Sequence, residues 1–149
     1  MKLVFLDIDG VMNSMTGSVI YMADMEVSKI ELLKKLINLS GAEGIVLTSD
    51  RRFSKPYMDQ FIEVMDKFEI FLEGTLRYPK EYEEDPDDNR GKQIVDYLES
   101  SKNDIESIVI LDNEDDGISD LFPDEFLKVD RKDGLTEDIM HHAIEILRQ

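Results

Sequence analysis

The sequence predicts an α/β protein, a doubly wound (Rossmann-like), mostly parallel five-stranded sheet with helices on both faces. Two observations carry this expectation. Five short apolar runs, at 3–6, 45–47, 70–72, 108–111 and 126–129, have the length and composition of buried strands. Segments with helical spacing of their apolar residues lie between them, and such alternation is what a parallel sheet with crossover helices requires. With 149 residues and no internal repeat or linker, the chain is expected to form a single domain, 1–149.

Each helix has its own signals. Ile30, Leu33, Leu36 and Ile37 share one face, and Gly41 is placed to end that helix. Tyr57, Phe61, Val64, Met65 and Phe68 repeat the pattern after a Ser54 cap, with Pro56 in the first turn. Ile94, Tyr97 and Leu98 mark a third helix. Ile139, Ala143, Ile146 and Leu147 mark a fourth, capped by Thr136 with Glu137 and Asp138 at its positive end. The one compositional break, residues 78–89 (YPKEYEEDPDDN), is acidic, holds two prolines and reads as an exposed loop.

Composition narrows the function. Cysteine is absent, which excludes disulfides, zinc–thiolate sites and thiol nucleophiles. No apolar run approaches membrane-span length, and the first apolar stretch is too short for a secretory signal, so a cytoplasmic setting is expected. Acidic residues number 34 against 17 basic ones, a net charge of −17. That field opposes generic coating of nucleic acid while concentrating divalent cations at carboxylate clusters.

In a doubly wound sheet ligands bind beyond the carboxyl ends of the strands, so the residues after each apolar run are the ones to read. Asp7 and Asp9 follow the first run. Two residues apart on extended backbone, they point the same way, and Gly10 then permits a sharp turn. Such a pair can divide labour between nucleophile and general acid/base, although Asp-x-Asp-Gly alone also describes a simple turn. Asp112 and Asp116, with Asp115 as competitor, follow the fourth run. Carboxylates converging from neighbouring strands repel, and Mg2+ resolves the conflict while leaving room for a phosphate oxygen. Thr48 offers a hydroxyl donor at the second strand end. Lys92, in a first helical turn where the dipole disfavours a cation, makes sense facing a phosphoryl group.

These elements, in this order, resemble the four motifs of the haloacid dehalogenase (HAD) superfamily: Phe5-Leu6-Asp7-Ile8-Asp9-Gly10-Val11, Val46-Leu47-Thr48, Lys92, and Asp112 with Asp115 or Asp116. The runs Leu6-Asp7-Ile8-Asp9-Gly10-Val11-Met12-Asn13, Leu47-Thr48-Ser49-Asp50-Arg51-Arg52, Arg90-Gly91-Lys92-Gln93-Ile94, Ile110-Leu111-Asp112-Asn113-Glu114-Asp115-Asp116 and Gly134-Leu135-Thr136 are similar to the small, capless HAD domains of bacterial and phage nucleic-acid repair proteins. Arg51 stands where those domains carry an aromatic residue, and Asn113 where an acid is common. The resemblance implies a Mg2+-dependent phosphatase with an aspartyl-phosphate intermediate, acting on nucleotide or nucleic-acid end phosphates. Asp7 would be the nucleophile and Asp9 the acid/base. Thr48 and Lys92 would hold the phosphoryl oxygens, with Gly10, Ser49, Arg52 and Arg90 contacting substrate. Asp7, Asp9 (through its carbonyl), Asp112 and Asp116 would serve the metal.

The intervals 12–44 and 49–89 leave no room for a full cap domain, so the site is expected to be open. Arg51, Arg52, Arg77 and Arg90 would form a basic rim unless they pair with nearby acids. His141 and His142, in the last helix and away from any strand end, read as surface residues. A receiver domain also combines acids, a hydroxyl and a lysine, but there lysine comes last. The alternative of another class is a non-catalytic acidic decoy or interaction protein on a HAD scaffold.

Overall fold

A computed structural model describes residues 1–17, 20–77 and 88–149. In chain order its elements are β1 (Lys2–Leu6), β2 (Tyr21–Met22), β3 (Met25–Glu26), α1 (Val27–Ser40), β4 (Gly44–Leu47), α2 (Lys55–Lys67), β5 (Leu72–Thr75), α3 (Arg90–Ser100), β6 (Ser107–Asp112), α4 (Ile118–Leu121), β7 (Phe126–Lys128) and α5 (Glu137–Arg148). A 3-10 turn, Asp50–Phe53, joins β4 to α2.

Five strands form one parallel sheet in the order β5-β4-β1-β6-β7, as the alternating pattern predicts. Successive side chains of a strand face opposite sides. Val4, Leu6, Ile45 and Leu47 therefore pack with Ile30 and Leu33 of α1, Phe61 of α2 and Met140 of α5. Leu3, Phe5 and Val46 pack on the other face with Ile94 of α3 and Ile118 of α4. Helices thus cover both faces, and no large cap interrupts the described residues. The chain steps from β1 outward to β4 and β5, then returns to lay β6 on the far side of β1. The carboxyl ends of β1 and β6 flank the switch point, where an open sheet leaves its crevice. Leu6 is registered with Leu111, and the Asp7 amide donates to the Leu111 carbonyl at 3.1 Å.

The helix signals act as read. Gly41 ends α1 with φ 77°, Ser54 Oγ accepts from the Tyr57 amide, and Thr136 Oγ1 accepts from the Ile139 amide. The third edge strand differs from expectation, being Leu72–Thr75 rather than 70–72. Ile70 instead closes α2: its amide donates to the Met65 carbonyl while Glu69 sits at φ 55°. The strand that follows is polar and half-buried because it lies at the sheet edge. The β2–β3 hairpin and the short helix α4 have no counterpart in the apolar pattern. Of the acidic loop expected at 78–89, only Asp88 and Asn89 lie within the described residues.

Candidate active site

Residues from five strand-end segments line one cavity of about 290 Å³ over the switch point: Asp7, Asp9 and Gly10; Ser49, Asp50 and Arg51; Arg90; Asp112, Asn113, Glu114 and Asp116; and Arg131. Larger cavities lie elsewhere, but no comparable set of catalytic groups lines them.

At the centre, Asp7 and Asp112 are brought side by side by β1 and β6. Their carboxyl groups are 13% and 5% exposed, so neither has enough water to carry a charge alone. Burial, with the neighbouring Asp112 carboxylate as second cause, pushes the Asp7 carboxyl up to about 7. Burial raises Asp112 as well. A hydrogen bond between the two side chains raises Asp7 further and offsets part of the rise at Asp112. Arg90 Nη1 lies 3.8 Å from Asp7 Oδ1 and donates to Asp112 Oδ2 at 3.4 Å, while Nη2 donates to Asp50 Oδ1 at 3.2 Å. The Asn113 amide, turned so that its nitrogen meets acceptors, donates to both Asp7 Oδ2 and the Asp9 carbonyl at 3.1 Å. The donor set fits a hard cation: the Asp7 carboxylate and the Asp9 carbonyl converge on space that a single NH2 group can reach, and the Asp112 carboxyl lies beside Asp7.

Asp9 faces elsewhere. Arg51 holds it from both sides, with Nε donating to Oδ2 and Nη2 to Oδ1, each at 2.8 Å. This fork, chiefly, keeps the Asp9 carboxyl below the usual carboxylate range. Arg51 Nη1 also donates to Asp24 Oδ2 at 2.6 Å, and the guanidinium lies 4.9 Å from the Tyr57 ring centroid. Asp24 belongs to the β2–β3 turn, where Ala23 and Asp24 both adopt positive φ. Asn13 Nδ2 donates to the Asp24 carbonyl, and Tyr57 Oη to that of Ala23. The hairpin is thereby pinned beside the cavity.

Gly10 is required where it stands. Its φ is 81°, and a Cβ there would lie 2.7 Å from the Asn113 side chain and 3.1 Å from Arg131 Cβ. Ser49 lines the cavity and caps the 3-10 turn, accepting from the Arg51 amide. Thr48 is buried at the end of β4, and its hydroxyl has no hydrogen-bond partner among the described residues. A buried orphan hydroxyl calls for an explanation, and a ligand oxygen is one.

Three expected residues, Thr48, Lys92 and Arg52, lie outside the cavity lining. Lys92 is exposed and does not line the cavity. Helix α3 begins at Arg90, capped by Asn89 Oδ1 on the Lys92 amide, and that phase delivers Arg90 to the carboxylates. Arg52 is 1% exposed and also outside the cavity lining. Its guanidinium donates to the Thr48 and Arg77 carbonyls and to Gln93 Oε1, tying β4, β5 and α3 together. The expected basic rim is largely paired: Arg51 with Asp9 and Asp24, Arg77 with Asp88 and Asp96, Arg90 with the central acids.

The choice between Asp115 and Asp116 follows from their partners. Asp115 Oδ1 accepts from the Ile118 and Ser119 amides at the start of α4 and lies outside the cavity lining. Asp116 lines the cavity, and its Oδ2 accepts from the Arg90 amide at 3.0 Å. With Asp116 and the Asp9 carboxylate so engaged, no group of three acidic or histidine side chains is placed to hold a metal among the described residues. The Asp7–Asp112–carbonyl set is a two-carboxylate site, which is what Mg2+ ordinarily takes.

Residues 3–140 match the family described as the HAD domain in Swiss Army Knife RNA repair proteins. The chain belongs to this family. It is a small HAD-type domain, and the Asp7-x-Asp9-Gly10 turn, Thr48, the Arg90 helix start and Asp112 occupy the strand ends at which the HAD resemblance was read. No curated protein matches the chain. No helix among the described residues of this HAD domain is long and apolar enough to cross a membrane. Arg51, expected in the basic rim, lines the cavity, and so do Asp50, Asn113, Glu114 and Arg131, which were not expected to act there. The sequence signal of these four was only their position, one to three residues beyond a strand.

Proposed function

We propose that this HAD domain is a Mg2+-dependent phosphoryl hydrolase, working through an aspartyl-phosphate on Asp7 and acting on phosphate-bearing RNA or other nucleic-acid ends. The observation that carries the reading is the buried Asp7–Asp112 pair beside Arg90. Structure alone gives no reason to crowd two desolvated carboxylates at adjacent strand ends.

Asp7 and Asp112, with the Asp9 carbonyl, would hold Mg2+, with Asp116 in support through its hold on the Arg90 backbone. When bound, the cation would supply a counter-charge for the carboxylates and for the phosphoryl oxygens. It would also keep Asp7 ionised, as a nucleophile must be. An Asp7 oxygen attacks phosphorus as the bond to the leaving oxygen breaks, and Asp9 gives that oxygen a proton. Water then attacks phosphorus, Asp9 takes its proton, and the Asp7–phosphorus bond breaks to release phosphate. Arg90 and the Thr48 hydroxyl hold phosphoryl oxygens through both displacements, the role first given to Lys92. The Arg51 fork keeps Asp9 ionised but occupies both of its oxygens. Arg51 must therefore shift toward the entering phosphate for Asp9 to act as the acid of the first displacement and the base of the second. Gly10 and Ser49 border the same phosphate space. A cytoplasmic setting and a single-domain organisation complete the reading.

The test is a Mg2+-dependent phosphate-release screen over nucleotides, sugar phosphates and phosphate-ended oligonucleotides, with Asp7→Asn as control. The reading predicts turnover by the native protein and its loss in Asp7→Asn. Turnover that survives in Asp7→Asn contradicts it. Tight Mg2+ binding with no turnover of any substrate supports the acidic-scaffold alternative instead.

A further inference from the structure

Arg131 lines the catalytic cavity and also a second cavity beside it, of about 320 Å³, bordered by Asn113, Lys128, Val129, Asp130 and Arg131. Of the arginines in the described residues it is the one whose side chain makes no hydrogen bond or ion pair there. Arg51, Arg52, Arg77 and Arg90 all meet carboxylates, and Arg148 donates to the Leu39 carbonyl. In a chain with twice as many acids as bases, an uncommitted guanidinium in a reactive cavity is unexpected.

The loop that presents it is firmly set. Val129 donates to the Asp112 carbonyl at 2.8 Å, Met15 donates to the Arg131 carbonyl, and Leu135 donates to the Val11 carbonyl. Gly134 and Asp133 bond back to Asp130, and the buried Lys29 ammonium donates to the Asp133 and Leu135 carbonyls. The acid next to Arg131 is partly occupied, since Asp130 Oδ1 accepts from the Lys132 amide. Lys128, on the far side of the second cavity, is registered beside Asp112 in the sheet, and its charge also reaches Asp115. Lys128, Arg131 and Lys132 thus put three cations within five residues, with Asp130 in the same stretch; across the catalytic cavity, Asp7, Asp9, Asp50, Asp112 and Asp116 are already engaged by Arg51 or Arg90, and Glu114 lines it beside them.

We propose that this second cavity is a subsite for the phosphodiester next to the scissile terminal phosphate, with Arg131 as its principal anchor and Lys128 in support. The inference rests on the phosphatase reading and adds a specificity element to it. A guanidinium held on a fixed loop suits a phosphate oxygen pair. Such a contact fixes the strand without reading its bases. It also reconciles the net charge with a polyanionic substrate, since attraction is needed only along one short path out of the cavity.

The experiment compares kcat/KM for 3′- and 5′-phosphorylated oligonucleotides and for the matching mononucleotides, in native protein, Arg131→Ala and Arg131→Lys. In parallel, Asp7→Asn and Asp7→Asn/Arg131→Ala are titrated with the same oligonucleotides by fluorescence anisotropy across salt concentrations. The oligonucleotide-to-mononucleotide ratio is expected to fall about tenfold in Arg131→Ala and by a smaller factor in Arg131→Lys, which keeps the charge but not the paired contact. The double variant is expected to lose about one unit of the salt slope of binding. An unchanged ratio together with an unchanged salt slope overturns the subsite while leaving the hydrolase reading intact. If no protein releases phosphate from any of these substrates, the nucleic-acid branch of the hydrolase reading falls, and the anisotropy arm alone decides the subsite: a slope that drops keeps it and one that does not overturns it.

Discussion

Asp7 illustrates how a residue's environment fixes its chemistry. Its carboxyl is raised to about 7 in the protein without metal, against 3.8 for an exposed group. Between those values the folded form keeps a proton that the unfolded form has lost, so stability falls as pH rises through that window. The limit is about 1.4 kcal/mol per pH unit for one group. Asp112 is shifted in the same direction. Asp9 is shifted downward, so its contribution is already complete above the ordinary carboxylate range and does not alter the trend. Thermal unfolding should therefore show the Mg2+-induced rise in Tm growing from pH 5 to pH 8. Asp7→Asn should lose most of that growth and, without metal, be more stable than the native protein at pH 8. Equal Mg2+ effects at both pH values would remove the metal from this pair. Arg90 gives a second prediction. Arg90→Ala should lower kcat about 10²–10³-fold, far more than Lys92→Ala does, as steady-state kinetics will show. The convergence of Asp7 and Asp112 was legible in the sequence because strand ends in a doubly wound sheet share one edge. The exchange of Lys92 for Arg90 was not. Which residue of Arg90-Gly91-Lys92 meets the carboxylates depends on where the helix begins, and that is set by the Asn89 cap and by Asp116 on the Arg90 amide.

At the scale of elements, strand–helix order was readable wherever apolar residues kept a clear period. It failed at β5, where Ile70 looks like a strand residue but closes a helix, and Phe71 only begins the pairing by accepting from the Ile45 amide. The pairing residues Leu72–Thr75 are too polar to stand out. The β2–β3 hairpin was invisible because two-residue strands leave no periodic trace, yet it carries Asp24 to the Arg51 guanidinium. The start of α3 is held by close backbone contact. A Cβ on Gly91 would lie 2.2 Å from the Gly117 carbonyl oxygen, with no flexible side chain to yield. Gly91→Ala should destabilise the protein by about 1–3 kcal/mol, read from chemical denaturation, and should displace Arg90. Its loss of kcat should therefore exceed what its folded fraction explains. Retention of full stability would show that the α3–α4 contact is looser than the structure has it.

At the scale of the molecule, a net charge of −17 would repel the phosphorylated substrate proposed for the cavity. The two are compatible because the acids at the site are paired or, on this account, bound to cation, while Arg131 and Lys128 mark one path outward. Self-repulsion should make the fold more stable in moderate salt. Mg2+ should stabilise it beyond NaCl of equal ionic strength, a difference that thermal unfolding measures directly. The central claim is covalent chemistry at Asp7, and intact-peptide mass spectrometry after rapid acid quench tests it most directly. With a turned-over substrate and Asp9→Asn to slow hydrolysis of the intermediate, the account predicts one phosphoryl group on the peptide containing Asp7 and none in Asp7→Asn/Asp9→Asn. A phosphoryl group on another residue, or phosphate release that persists in Asp7→Asn, would contradict it.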